Sequence, residues 1–238
     1  MSSDAAVPDG RGLAVVTGAA GGIGLAIVQR LLADGWRVAG LDLVPPALES
    51  PGYRHVAADL CDGAGIAHAL SGLGDVRALV HAAGVLRVGA LQELDPADGM
   101  RMWALHVDAA VRLAQGLLPS LSAGGNGRIV LVGSRVAQGM PGRSLYAASK
   151  AALVALARSW GAELAASGVT VNVVSPAATQ TGMLADPARA ASAPRLPPIG
   201  RLIRPQEIAA MVSFLLSDEA AAITGQDLTV CGGASLVR

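Results

Sequence analysis

The sequence predicts a doubly wound α/β fold, a parallel sheet with helices on both faces, and three observations carry that expectation. From residue 12 onward, short β-branched runs alternate with longer Ala- and Leu-rich stretches at helical spacing. The runs are continuously apolar, the pattern of strands covered on both sides. Between the first run and the first helical stretch stands a glycine-rich turn, TGAAGGIG, at 17–24.

In chain order, LAVVTG (13–18) reads as a buried strand and GIGLAIVQRLLADG (22–35) as the helix after it. WRVAGLD (36–42), YRHVAAD (53–59) and VRALVHA (76–82) each predict a strand buried on both faces. Asp95 as N-cap and Pro96 at the first helical position open one long helix, DPADGMRMWALHVDAAVRLAQGLLPSL. GRIVLVGS (127–134) and GVTVNVVSP (168–176) are further strands, with the helix YAASKAALVALARSWGAELAAS between them. The stretch 177–204 is rich in Pro, Ala and Arg and lacks periodicity. It is expected to be a long irregular segment, with 178–204 forming a lid over the site. RPQEIAAMVSFLLSD is the last helix and QDLTVCGG the last strand. No repeat, low-complexity tract or linker interrupts the chain. One domain over 1–238 is expected, with 1–10 as a loose tail.

Composition excludes several classes. Of the 238 residues, 18 are basic and 18 acidic, and the arginines are scattered, so there is no electrostatic footprint for nucleic acid. Apolar residues make up 52%, but no run is long enough for a membrane span. The N-terminus has no basic start or apolar stretch, so it is not read as a signal peptide. Cys61 and Cys231 lack metal spacing and read as unpaired thiols in a reducing cytoplasm. The four histidines show no ligand spacing either, so no metal is expected.

The chemistry concentrates at three places. In the turn, Gly18 allows a tight bend, Gly22 close approach of backbone to phosphate, and Gly24 close packing of helix on strand. The helix start offers free N–H groups and a partial positive charge to a pyrophosphate. Asp42 ends the second strand, where a carboxylate accepts hydrogen bonds from adenosine ribose hydroxyls and repels a 2′-phosphate. No Arg or Lys stands beside it, which favours NAD over NADP. The third place is SLYAASKAAL (144–153), which holds Lys150, the one lysine in a chain with 17 arginines. Tyr146 and Lys150 are four residues apart and share a helix face. An ammonium there lowers the pKa of a phenol that is otherwise too weak an acid at neutral pH, and its slim stem can also hold a ribose. Ser134, at the carboxyl end of its strand, opens onto the ligand crevice and can orient a substrate oxygen, or it can simply cap the next turn.

Taken together, TGAAGGIG, AAG at 82–84, Ser134, YAASK and SPAATQTGM resemble the short-chain dehydrogenase/reductase family over residues 11–236. The resemblance implies a seven-stranded Rossmann sheet, hydride transfer with a nicotinamide cofactor, and a homotetramer. It places Ile23 with the glycines at the pyrophosphate, and Asp59 and Leu60 against the adenine. His81, Ala83 and Gly84 line the cofactor cleft, Thr181 holds the carboxamide, and Tyr146 and Lys150 serve both catalysis and cofactor binding. Two stretches, ALVHAAGVLRVGA and RPQEIAAMVSFLLSDEAAAITGQDLTVCGGASL, are similar to a branch that oxidises cyclic dihydrodiol acids, the dihydrodihydroxybenzoate dehydrogenases.

The chain departs from the family at His81 and His106, where the family carries Asn, and at Ala177, where it carries Gly. The two histidines are expected to be neighbours. His106 is a catalytic candidate that either holds the water the family's Asn holds or titrates in the proton path, since its ordinary pKa lies in the working range; the alternative is a tolerated polar substitute. His55 and His68 read as surface or strand-edge residues, and Arg189 and Arg195 as possible carboxylate ligands in the lid. The expected function is oxidation of a secondary, cyclic alcohol or dihydrodiol. The alternatives are an NAD(P)H-dependent carbonyl or 3-oxoacyl reductase, and a dinucleotide-binding regulatory protein without catalysis.

Overall fold

In the computed structural model, which describes residues 10–46, 48–185 and 195–236, seven parallel strands form one sheet in the spatial order β3-β2-β1-β4-β5-β6-β7. They are β1 (Leu13–Thr17), β2 (Arg37–Asp42), β3 (Tyr53–Ala57), β4 (Val76–His81), β5 (Arg128–Val132), β6 (Thr170–Pro176) and β7 (Asp227–Val230). Six helices cross between them: α1 (Gly22–Ala33), α2 (Gly63–Leu70), α3 (Pro96–Trp103), α4 (Ala109–Ala123), α5 (Ser144–Leu164) and α6 (Pro205–Leu215). β1, whose neighbours are β2 and β4, is where the strand order reverses, and a crevice opens there at the carboxyl ends of the strands.

Each sheet face has its own core. Leu113, Leu121 and Leu153 pack with Val15, Leu79 and Ile129 on one side. Ile27, Leu31 and Val212 pack with Val16, Val80 and Val130 on the other. β1, β5 and β6 are buried along their whole length, as continuous apolar runs require. β3 is different: only one neighbour pairs with it, and its residues are half-buried or exposed. The expectation of burial on both faces fails there because a strand at the sheet margin has less cover.

Three further differences have local causes. Helix α2 was not foreseen, because its eight residues include Gly63 and Gly65, poor helix formers. Asp62 compensates by accepting hydrogen bonds from Ala64 N and Gly65 N at 3.0 Å each. The long helix beginning at Pro96 does start with Asp95 capping Ala97 N, but it is interrupted by a π-helical turn, Ala104–Asp108, before continuing as α4. The stretch 177–204 is, among its described residues, less irregular than expected: Thr179 pairs with Ile203 and a 3₁₀ turn spans Gly182–Ala185. Of the two arginines read as possible carboxylate ligands, Arg189 lies outside the described residues and Arg195 is exposed. Cys61 and Cys231 are free thiols.

Candidate active site

The glycine turn is shaped by contact as much as by conformation. Gly18 has φ +66°, and a Cβ there would lie 2.9 Å from the Ala83 backbone. A Cβ on Gly24 would lie 1.9 Å from the Gly18 carbonyl oxygen. Both positions therefore exclude any side chain. Gly22, expected to sit beside phosphate, has the Thr181 side chain next to it instead, at 3.3 Å from its notional Cβ. An open position is Gly21, the N-cap of α1, where a notional Cβ would meet nothing within 4 Å. α1 has no side-chain cap and no acid in its first turn, so its free N–H groups face that opening uncompensated. A dinucleotide pyrophosphate fits this cradle. Ile23 follows as the second residue of α1.

Asp42 accepts hydrogen bonds from Ala20 N (3.0 Å) and Val44 N (3.3 Å), one on each carboxylate oxygen. It thus braces the turn and retains lone pairs for a ribose. Asp59 is exposed and accepts from Cys61 N at 2.8 Å, while the Leu60 side chain packs into the core with Ile66 and Leu113. Ala177, the residue in place of glycine, is held by its N–H to Val230 O (3.2 Å).

Ser134, Tyr146 and Lys150 lie where β5 and α5 meet the crevice. Ser134 is buried and caps the following 3₁₀ turn, accepting from Val136 N at 3.2 Å. Of the two sequence readings, the cap is the one these contacts describe. Tyr146 is the third residue of α5. Lys150, one turn on, is buried, and its Nζ donates to Val132 O at 2.7 Å and lies 5.9 Å from the Tyr146 ring centroid. Burial pushes its pKa down to about 7. A Cβ on Gly84 would lie 3.1 Å from His106 Nε2 and 3.6 Å from Lys150 Nζ, so Gly84 borders both.

His81 and His106 are fully buried, and they are neighbours as expected. His81 Nδ1 pairs with Thr17 Oγ1 (2.9 Å) and His81 Nε2 with Leu105 O (3.1 Å). His106 Nε2 accepts from Val85 N (3.0 Å), its Nδ1 pairs with Ser149 Oγ (2.9 Å), and its ring meets the Tyr146 ring edge-on at 5.7 Å. Burial first, then the Lys150 charge, pushes the His81 pKa down to about 3 and the His106 pKa down to about 2. The expectation that His106 titrates in the working range is therefore corrected. A ring with one nitrogen already accepting a backbone N–H, beside a lysine, stays neutral.

The residues that sequence reasoning passed over are Thr17, Gly21 and Ser149. Thr17 opens the TGAAGGIG turn, Gly21 lies inside it, and Ser149 stands between the tyrosine and the lysine of YAASK, yet the sequence reading assigns none of the three a role there. The recess between Arg87, Leu94, Asp98, Met102, Arg143 and Leu145 contains none of Ser134, Tyr146 and Lys150. Among the described residues, no group of His, Cys, Asp or Glu has metal-site geometry, and no helix is long and apolar enough to cross a membrane.

Comparison with known proteins supplies the context. A family model described as Enoyl-(Acyl carrier protein) reductase matches residues 18–235. The chain is 39% identical to the 2,3-dihydro-2,3-dihydroxybenzoate dehydrogenase of Escherichia coli (strain K12), over 93% of this chain and 96% of that one. It is 38% identical to the cis-4-hydroxycyclohexanecarboxylate dehydrogenase of Sinomonas cyclohexanicum (94% and 97% covered). It is 34% identical to the 3-oxoacyl-[acyl-carrier-protein] reductase FabG of Salmonella typhimurium (94% and 98% covered). Among solved structures, the ligand-free aldohexose dehydrogenase of Thermoplasma acidophilum superposes with a TM-score of 0.88 at 27% identity, covering 95% of this chain and 94% of that chain.

Proposed function

Because the chain belongs to the short-chain dehydrogenase/reductase family, we propose that it oxidises a secondary hydroxyl on a ring, with NAD as cofactor. The observation that carries the proposal is the buried Lys150 one helical turn from Tyr146, together with an α1 start that has no side-chain cap and no acid and so suits a pyrophosphate. When bound, a nicotinamide dinucleotide supplies the hydride acceptor. Gly18, Gly21, Gly22, Ile23 and Gly24 hold its phosphates, Asp42 its adenosine ribose, and Asp59 and Leu60 flank the adenine. Ala83, Gly84, Lys150 and Thr181 line the nicotinamide end, and His81 fixes the wall behind Ala83. Ser134 orients the substrate oxygen. Tyr146, as a phenolate favoured by the neighbouring Lys150 ammonium, takes the hydroxyl proton and becomes the neutral phenol.

Asp42 supports NAD, since a 2′-phosphate would meet a carboxylate already held in place by two backbone donors. A ring alcohol is supported by two relatives whose names both specify a ring carboxylate. The second reading, a 3-oxoacyl or other carbonyl reductase, draws on the FabG likeness and lacks that support. Loss of catalysis in a dinucleotide-binding regulator is disfavoured by the intact Ser–Tyr–Lys set. One domain spanning 1–238, a homotetramer and a cytoplasmic location complete the proposal, on family likeness.

The test is NADH formation from NAD, with NADP in parallel, over cyclic dihydrodiols, cyclohexanols, hydroxy acids and sugars. A ring alcohol turned over with NAD is the expected result. Tyr146→Phe is expected to lower kcat by about 10²- to 10⁴-fold while NADH binding persists. A variant with wild-type rate would sink the mechanism, and preferential turnover of linear substrates with NADP would favour the reductase.

A further inference from the structure

Two directed runs of hydrogen bonds, joined through the Leu105–His106 peptide, lead from the end of β1 to the tyrosine helix. Thr17 Oγ1 accepts from Ala82 N and Ala83 N, both at 3.0 Å, which occupies its lone pairs. Its proton therefore goes to His81 Nδ1, and His81 donates from Nε2 to the Leu105 carbonyl in the π turn. His106, next in that turn, accepts the Val85 N–H at Nε2 and so carries its own proton on Nδ1. That proton goes to Ser149 Oγ, and the serine hydroxyl donates to the Tyr146 carbonyl at 2.8 Å. Backbone N–H groups fix the direction at both histidines, which hold opposite tautomers.

The far end of this chain is a helix terminus without a cap. Arg143, the N-cap of α5, makes no side-chain cap hydrogen bond, and Tyr146 sits in the first turn, where helices fray. Building on the dehydrogenase reading, we propose that His106 and Ser149 are positioning residues. They tie the first turn of α5 to the 82–85 loop, and so hold Tyr146 in register with Lys150 and the cofactor cleft. The groups facing the His106 ring are Lys150 and Tyr146 from α5 and His81 from β4. A proton added at Nε2 would meet the Val85 N–H, so the strut works with a neutral ring and passes no proton.

Two measurements on the full-length protein need no substrate. By ¹⁵N NMR, His106 is expected to be neutral and protonated on Nδ1 over roughly pH 5 to 9. A ring that titrates near its ordinary value, or carries its proton on Nε2, overturns the strut. The chain has two tyrosines, so Tyr53→Phe leaves Tyr146 as the sole phenol for ¹³C titration, with and without NADH. Ser149→Ala in that background is expected to shift the Tyr146 pKa by about half a unit or more, and Ser149→Thr to restore it. An unmoved titration overturns the proposal.

On a substrate that the wild type turns over, Ser149→Ala and His106→Gln should each lower kcat by about tenfold, with KM within about twofold. The double variant should be no worse than the weaker single, since both break one chain. Independent, multiplying losses would overturn the shared strut. A wild type silent on every alcohol would defeat the dehydrogenase reading alone, because the imidazole and phenol titrations still decide the strut.

Discussion

An imidazole in place of a carboxamide alters how the protein answers to acid. In the folded state His81 and His106 bind protons far more weakly than at the ordinary value of 6.5, with pKa values pushed down to about 3 and about 2. The unfolded chain thus binds more protons than the folded one below about pH 6.5. The stability present above that pH is lost progressively as pH falls toward the folded values. Acid unfolding is expected to take up about two protons through these rings, and about one fewer in His81→Asn or His106→Asn, read from the pH dependence of the denaturant midpoint. An unchanged slope in both variants would contradict the burial described. Lys150 has the same sign at higher pH: its lowered value means stability rises from about pH 7 toward its ordinary 10.5. Gly84 gives a catalytic counterpart, for a methyl group there intrudes between His106 and Lys150. Gly84→Ala should reduce kcat about tenfold or more while the circular dichroism stays native. At this scale the sequence was legible where rarity spoke: a single lysine four residues from a tyrosine. It was mute where chemistry depends on partners. Nothing in YAASK says which atom Ser149 bonds, and no spacing reveals which nitrogen of His106 holds the proton.

At the level of elements, strands and long helices could be read because burial writes itself as continuous or periodic apolar character. The exceptions arise where that signal weakens. α2 is short and glycine-bearing, β3 is marginal in the sheet, and a π turn is one extra residue in a helix whose composition barely changes. The glycine turn is the opposite case, an element whose shape was legible because its geometry admits so few residues. Gly24→Ala places a methyl group against the Gly18 carbonyl, a backbone atom held in turn by Gly18 N to Leu41 O. It should destabilise the protein by about 1–3 kcal/mol or more and abolish NADH binding, measured by thermal unfolding with and without NADH. A variant that still gained melting temperature from NADH would show that the turn can yield without losing its ligand.

For the whole molecule, alternating strands and helices dictated a parallel sheet, and the right-handed crossover rule leaves few arrangements for such an order. What no sequence pattern conveyed is the convergence of distant loops: Ala83 on Gly18, Thr181 on Gly22, His106 and Lys150 on Gly84. Each pairing joins segments that have only the fold in common. Assembly is likewise unwritten in the chain. If the proposed tetramer forms, light scattering should return about four times the 23.7 kDa chain mass, with a melting temperature that rises with protein concentration. A mass of one chain at all concentrations would remove that part of the proposal.

The strand order also sets a timetable for synthesis. β1 to β4 are complete once His81 has emerged, and they already form one contiguous block of the sheet. The outer margin of β4 must then wait for β5, which ends at Val132, while α3, the π turn and α4 are still being made. At ordinary ribosomal speed that wait lasts roughly 3 to 10 s. During it the nascent chain carries a formed phosphate turn and an unpaired apolar strand, but neither Tyr146 nor Lys150. The glycine turn is thus made before the tyrosine–lysine pair. The open strand is the stage at which this protein depends most on whatever shields emerging chains from one another.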